Sequence, residues 1–213
     1  MKLSLTNIGL VAGLLAACAL IVFLLAQPRS EPVTNNFPPV AVDDYTKGAA
    51  TSTVVLVEYL DFECEACGAY YPIVKNLEKQ FGEDITFVAR YFPLPGHRNG
   101  LTAALAAEAA GRQGKFWEMH DLLFERQKEW GEKQAPTPEV FEGFATELGL
   151  DMEKFRADVA SPEVKARVQR DIDSGRALGV NSTPSFFLNG ERLQNPQSEQ
   201  QFWKILETAV DGK

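Results

Sequence analysis

Cysteine, histidine and basic side chains are scarce in this 213-residue sequence, and each scarcity excludes a class of protein. Three cysteines cannot form the dense disulfide framework of a small secreted scaffold. With two histidines, the sequence offers few ligands for a zinc site. Lysine and arginine total 21 against 29 aspartates and glutamates, for a formal charge of −8. A nucleic-acid partner needs a basic surface, so we exclude that class of partner.

One long apolar run lies close to the N-terminus. Residues 8–26, IGLVAGLLAACALIVFLLA, contain no charged side chain, and as a helix they would span roughly 28 Å, about one bilayer core. We predict a signal anchor in residues 1–26 that crosses the cell membrane once and leaves the rest of the chain extracytoplasmic. Two alternatives stay open: cleavage at Ala17-Cys18-Ala19, or a lipoprotein signal at Leu15–Cys18 with Cys18 lipidated.

The remainder has the pattern of a linker followed by one α/β domain. Residues 27–38 are rich in proline and polar side chains, as in an extended linker, and residues 39–213 form the domain. Within the domain, the β-branched runs at 53–60 and 85–92 predict strands buried on both faces. Between them, apolar residues recur every three or four positions, which predicts a helix kinked at Pro72.

A helical insert and a short β segment complete the predicted order β–α–β, helices, β–β–α. Residues from about 99 to 179 predict four or five helices, including one amphipathic helix at Phe116–Trp130. The end of the chain predicts a strand at Ser185–Leu188, a tight turn at Asn189-Gly190 and a partner strand at Glu191–Leu193. Helix-capping signals stand at Thr137-Pro138, Asp151, Ser161-Pro162 and Ser198, the last with Gln201 as in a capping box.

The two cysteines beyond the apolar run are Cys64 and Cys67, in DFECEACGAY, at the start of the predicted helix. A helix N-terminus stabilises a thiolate, so we predict Cys64 as an exposed nucleophile and Cys67 as its buried resolving partner. A structural disulfide of this spacing would constrain little of the unfolded chain. A zinc site with His97 and His120 would have unusual ligand spacing, so we expect His97 in a loop near the site and His120 on a packed helix face.

The segments VVLVEYLDFECEACGAYYP and NSTPSFFLNG, on either side of the helical insert, resemble the DsbA-like branch of the thioredoxin fold. The resemblance covers about Val40 to the C-terminus and implies an α/β thioredoxin-like fold with a helical insertion and no cofactor. It implies that Thr183-Pro184 is a cis-proline loop that pairs with substrate, where the alternative is an ordinary turn. It also implies that Glu58 is a buried acid that exchanges protons with Cys67, where the alternative is a carboxylate that reaches solvent.

The residues between the cysteines depart from the family pattern. Strongly oxidising members have a Pro-His pair there, whereas this chain has Glu65-Ala66. Repulsion from Glu65 and Glu63 should raise the pKa of Cys64 and make the protein a milder oxidant. The alternative is that both carboxylates point into water and are screened.

The resemblance implies a bacterial, membrane-anchored thiol:disulfide oxidoreductase that introduces disulfides into exported proteins. Its expected partners are exported substrates with free cysteines and a membrane quinone-linked oxidase of the DsbB or VKOR type that reoxidises it. We expect a monomer. One alternative is a reductase or isomerase that receives electrons from a membrane reductant, and another is a non-catalytic module that binds extended peptides.

Overall fold

The computed structural model describes residues 37–133, 135 and 137–212. The predicted signal anchor at 1–26 and the linker up to residue 36 therefore lie outside the described residues. Within the described ranges, no helix is both long enough and apolar enough to cross a membrane.

A five-stranded mixed sheet forms the centre of the domain, with strand order β1-β3-β2-β4-β5. The two central strands, β2 and β3, are parallel, and the other three pairings are antiparallel. Four of the strands lie within one residue of their predicted bounds; β1 was not predicted because its sequence, YTKG, is short and polar. The strands are β1 (Tyr45–Gly48), β2 (Val54–Leu60), β3 (Ile85–Tyr91), β4 (Ser185–Leu188) and β5 (Glu191–Arg192).

Helices cover both faces of the sheet, and six helical segments of the described chain lie between β3 and β4. Four or five were predicted, and the difference arises at Arg126, whose φ of −112° and ψ of 20° interrupt the single helix expected at 116–130. The helix that starts at the cysteines continues through Pro72. The helices are α1 (Glu65–Phe81), α2 (Gly100–Gly111), α3 (Phe116–Glu125), α4 (Gln127–Trp130), α5 (Pro138–Glu147), α6 (Met152–Ala160), α7 (Pro162–Ala177) and α8 (Glu199–Asp211).

Local signals set several of these boundaries as predicted. Asn189 and Gly190 have φ of 51° and 84°, the left-handed conformation that a two-residue hairpin turn requires. Ser198 accepts from the Gln201 amide, but the Gln201 side chain accepts from the Gln197 amide, one residue before the cap. Side-chain caps are present at Asp151, Ser161 and Ser198, whereas Thr137 makes none.

Two apolar clusters lie on opposite faces of the sheet. One joins Leu56 and Phe186 of the sheet to α1 and α8 through side chains such as Leu77 and Phe202. The other joins Tyr59 and its neighbours to the helical insert. The loop that follows β2 belongs to the second cluster, which also contains both cysteines. The loop therefore brings the cysteines to the junction between the sheet and the insert.

Candidate active site

The two cysteines occupy the first turn of α1. Cys64 is the N-cap residue, and its backbone carbonyl accepts from the Gly68 amide at 3.0 Å. Cys67 is fully buried and Cys64 is only 7% exposed, so the nucleophile is less open to solvent than its predicted role suggests. Both are free thiols, so the structure represents the reduced form.

The environment of Cys64 favours the thiolate. Its pKa is lowered to about 5, chiefly by a hydrogen bond from the Cys67 thiol. Burial has the opposite effect and raises the pKa. Hydrogen bonds from Thr183 and from the backbone amides of Cys67 and Ala66 lower it further. These amides belong to the first helical turn, where N–H groups have no partner within the helix. At neutral pH the Cys64 thiol is therefore largely ionised.

Cys67 has the opposite electrostatics. Burial raises its pKa well above the ordinary thiol value, and the hydrogen bond to Cys64 and the charge of Glu58 add to the rise. Its sulfur also accepts from the Asp61 amide at 3.5 Å. The pair thus separates into an anionic sulfur at Cys64 and a protonated one at Cys67.

Glu58 lies on β2, next to Ala89 of β3 and Phe186 of β4. Its partly buried side chain lines a narrow crevice that Lys47 and Glu78 also line. Burial raises the Glu58 pKa to about 8, with further contributions from the charges of Glu78 and Cys64. A carboxyl group with that pKa exchanges protons near neutral pH, although its part in the reaction stays a prediction.

The Thr183-Pro184 loop reaches Cys64 through Thr183. The peptide bond between Thr183 and Pro184 is cis, as the resemblance implies, and both residues are buried. When it is protonated, the Cys64 thiol donates to the Thr183 carbonyl oxygen at 3.4 Å. Cys64 and Thr183, which are more than one hundred residues apart in sequence, are therefore in contact at the Cys64 sulfur.

The Cys64 pKa is lowered overall by hydrogen bonds, and repulsion by Glu65 or Glu63 is not among its main causes; the milder oxidising power expected from those glutamates stays a prediction. Glu65 and Ala66 point outward and are exposed. Glu63 is buried, and its carboxylate accepts from three amides: Asn99 at 2.6 Å, Gly100 at 2.8 Å and Glu132 at 3.0 Å. Those contacts place the negative charge at the N-terminus of α2, where the helix dipole favours it.

Two further residues, Gln127 and Asp61, form hydrogen bonds at the site and were not predicted. The Gln127 side-chain amide donates to the Phe62 and Cys64 carbonyl oxygens at 2.8 and 2.9 Å. The buried Asp61 carboxylate accepts from His97 Nδ1 at 2.6 Å. The position of Asp61, immediately after an apolar strand and before the cysteines, could have indicated that it belongs to the site. No local sequence pattern indicates that Gln127 does.

The other histidine packs on a helix face, as predicted. His120 is buried, makes edge contacts with the Phe62 and Phe124 rings, and lies 3.1 Å from Asp121. In the described part of the chain, no three histidine, cysteine or acidic side chains lie close enough together to hold a metal ion.

Comparison with known proteins agrees with this architecture. A family model described as thioredoxin matches residues 41–208, which is most of the chain. The chain belongs to the thioredoxin family.

Among solved structures, this thioredoxin-family chain is similar to a thioredoxin-like oxidoreductase from Silicibacter pomeroyi DSS-3. The identity is 26% and the TM-score 0.68, over 80% of this chain and 94% of the other. It also shares the fold of α-DsbA1 from Wolbachia pipientis, at 16% identity and a TM-score of 0.75, over 84% and 96% of the two chains. The fold is therefore that of a DsbA-like thioredoxin domain, and with the paired cysteines it supports a thiol:disulfide oxidoreductase.

A curated relative of this thioredoxin-family chain is named as an antiporter rather than as a thioredoxin-like protein. The chain is 37% identical over 214 residues to a protein from Herminiimonas arsenicoxydans named Na(+)/H(+) antiporter NhaA. The match covers 97% of this chain but 33% of the relative. The chain thus spans about a third of the length of that relative.

Proposed function

We propose that the protein is an extracytoplasmic thiol:disulfide oxidoreductase that introduces disulfides into exported proteins. The observation that carries the proposal is the opposite ionisation of the two sulfurs, with the pKa of Cys64 lowered to about 5 and that of Cys67 raised. A stabilised thiolate favours the reduced form of the pair, and a pair that is stable when reduced is an oxidant toward other thiols.

The reaction begins from the Cys64–Cys67 disulfide. A substrate thiolate attacks the Cys64 sulfur, the bond between the cysteines breaks, and Cys67 leaves and takes up a proton. A second substrate thiolate then attacks the mixed disulfide and displaces Cys64 as a thiolate. Two electrons pass from the substrate to the protein, and of the two protons that the substrate thiols release, one stays on Cys67 and one is free. We expect the Glu58 carboxyl group, whose charge acts on Cys67, to supply the proton that Cys67 takes up.

The cis-proline loop would hold the substrate during these steps. Backbone groups at Thr183 lie beside Cys64, and an extended peptide could pair with them as an added strand. The exposed side chains of Glu65 and Ala66 would form the facing wall. No cofactor takes part in this chemistry.

The cellular setting is part of the same proposal. An anchor at residues 1–26 would hold a monomeric domain at the outer side of the bacterial cell membrane, in the periplasm where one exists. Substrates would be exported proteins with free cysteines. A quinone-linked membrane oxidase of the DsbB or VKOR type would restore the disulfide.

The test is equilibration of the full-length protein with glutathione buffers of known ratio, followed by quantification of the two redox forms. We expect the reduced form to persist in buffers more oxidising than those that reoxidise thioredoxin. A protein that stays oxidised down to the range of thioredoxin would instead be a reductase or isomerase that draws on a membrane reductant.

Two variants separate a redox enzyme from a module that only binds peptides. Cys67→Ala should accumulate mixed disulfides between Cys64 and substrate thiols, because the resolving sulfur is missing. Cys64→Ala should lose all exchange. Unchanged function in Cys64→Ala would establish the binding module and overturn the proposal.

A further inference from the structure

The Asp61 carboxylate is a buried charge beside the two cysteines. Its side chain is fully buried, and it accepts from the Glu63 amide at 2.9 Å, the Leu94 amide at 2.8 Å and His97 Nδ1 at 2.6 Å. In the described part of the chain, His97 alone forms an ion pair with it. The negative charge of Asp61 is therefore balanced by one titratable side chain.

Asp61 also contacts both cysteines through its backbone. Its amide donates to the Cys67 sulfur at 3.5 Å, and its carbonyl oxygen accepts from the Cys64 amide at 3.1 Å. The same residue thus holds the turn that carries the sulfurs and the histidine of the loop that follows β3.

The Asp61 side chain occupies space that a larger residue at position 100 would fill. A Cβ atom on Gly100, at the start of α2, would lie 2.7 Å from Asp61 Oδ1, so the absence of a side chain there leaves room for the carboxylate. His97 lies at the open end of the pair, with 29% of its side chain exposed. The carboxylate is buried, whereas the histidine can exchange its proton with water.

We propose that His97 is a positioning residue for the chemistry of Cys64, because its protonated ring neutralises Asp61 and thereby stabilises the Cys64 thiolate, so that reduction of the cysteines is coupled to proton uptake at His97. The inference rests on the proposed function, since it assigns a residue to the same reaction. The histidine lies outside the two residues between the cysteines, so the site would acquire its cation from another loop.

The charges around His97 agree with this direction. Burial lowers the pKa of His97, but the hydrogen bond and charge of Asp61 outweigh it, and the charges of Cys64 and Glu63 raise the pKa further. Its own loop adds the exposed Arg98. As pH rises through the His97 pKa the proton is lost, the Asp61 charge is left uncompensated, and the thiolate becomes less favourable. The protein should therefore be the stronger oxidant below that pKa.

The proton balance defines the coupling. When a dithiol substrate reduces the disulfide, two electrons reach the protein, Cys67 binds one of the two released protons, and Cys64 becomes an anion. The new anion raises the affinity of His97 for a proton, so His97 takes up part of the second proton, and the remainder enters solvent. Reoxidation reverses both transfers.

Histidine titration by NMR measures this coupling directly in the full-length protein. The chain has only two histidines, so His97→Asn assigns both resonances, and His120, which packs on the Phe62 and Phe124 rings and pairs with Asp121, is an internal control. We expect the His97 pKa to be higher in the reduced form than in the oxidised form by about 0.5 unit or more, and the His120 pKa to be the same in both. Equal His97 values in the two forms would overturn the inference.

Two variants test the effect on the sulfur, read from the ultraviolet absorbance of the thiolate. His97→Asn keeps a hydrogen-bond donor to Asp61 but has no charge, and should raise the Cys64 pKa by about 0.5–1 unit, a three- to tenfold loss of thiolate at pH values below it. His97→Lys keeps a charge that does not titrate near neutral pH. It should retain the thiolate and lose the pH dependence of the equilibrium with glutathione.

The outcomes distinguish this inference from the proposed function. If Cys64→Ala abolishes exchange but His97→Asn leaves the Cys64 pKa and the glutathione equilibrium unchanged, the proposed function stands and the role of His97 is refuted. If the wild-type protein exchanges with no thiol, the proposed function fails. The NMR comparison of chemically reduced and oxidised protein still reports on the coupling in that case.

Discussion

Two of the buried charge clusters in the described part of this domain differ in the groups that balance their carboxylates. The first, here the site cluster, consists of Asp61, Glu63 and His97. It relies on backbone amides and one histidine. The second, the arginine cluster, consists of Asp44, Arg90, Arg167 and Asp171. It relies on two guanidinium groups.

The arginine cluster joins parts of the chain that are distant in sequence. Arg90 of β3 lies 2.7 Å from Asp44, just before β1, while Arg167 of α7 lies 3.2 Å from Asp44 and 2.6 Å from Asp171. Guanidinium groups keep their charge at all physiological pH values. The cluster therefore fixes the last helix of the insert against the sheet without responding to pH.

The site cluster combines the same burial with a side chain that titrates. The Glu63 carboxylate accepts hydrogen bonds from three backbone amides, whereas Asp61 is paired with His97, a side chain of the type that titrates near neutral pH. The comparison teaches that burial alone does not make a charge functional. What matters is whether its partner can change charge within the working range of pH.

The largest effect should come from removal of the Arg167 charge. Arg167→Met leaves Asp44 and Asp171 buried with fewer partners, and should cost about 3–5 kcal/mol of unfolding free energy, measured by urea denaturation. The Cys64 pKa should not change. The matched control is Arg156→Met, which removes an exposed arginine paired with Glu142 and should have little effect on stability. A shifted Cys64 pKa in Arg167→Met would show that the two clusters are not independent.

A smaller loss is expected at Glu63. Glu63→Gln replaces one acceptor oxygen by an amide nitrogen, so at least one of the three donating backbone amides loses its partner, at a cost of about 1–3 kcal/mol. Glu65→Gln is the control, because the Glu65 side chain is exposed. Equal stability of the two variants in urea would show that the Glu63 contacts contribute nothing.

Glu58 should give the protein a pH-dependent loss of stability. Its pKa is raised to about 8 in the folded state, so the folded protein holds the proton more tightly than the unfolded chain. Stability from this group is fully present below the ordinary glutamate pKa and is lost as pH rises towards 8. Glu58→Gln, which cannot ionise, should flatten the stability of the protein between about pH 5 and pH 8 in thermal unfolding curves. If the stability of Glu58→Gln depends on pH as the wild-type stability does, the loss arises from other groups.

The smallest effect should come from Glu65. Glu65→Ala removes an exposed carboxylate beside Cys64, and screening by water should limit the change in the Cys64 pKa to about 0.3 unit. The thiolate absorbance of the two proteins, titrated side by side, measures the difference. A fall of a full unit in the variant would restore the repulsion that the sequence alone suggests.

Local patterns predicted most of the fold. The β-branched runs gave β2 and β3, the cap residues gave the starts of α6, α7 and α8, and Asn189-Gly190 gave the hairpin, because each depends on neighbours within a few residues. Two features, β1 and the helix break at Arg126, were not predicted because they depend on distant parts of the chain. β1 depends on its pairing with β3 and on distant contacts such as the stacking of Tyr45 on Phe116. The break at Arg126 allows Gln127 to reach the carbonyl oxygens of Phe62 and Cys64.

Contiguous motifs were enough to predict the thioredoxin-like fold, Cys64 and Cys67 at a helix start and the loop at Thr183-Pro184. The charges around the sulfurs depend instead on contacts between distant parts of the chain. The tertiary structure turned Glu63 onto the N-terminus of α2, left Glu65 exposed and placed His97 on Asp61. A pKa depends on burial and on partners in three dimensions, and residues adjacent in sequence can point in opposite directions, so a count of nearby glutamates does not give the direction in which the Cys64 pKa is shifted.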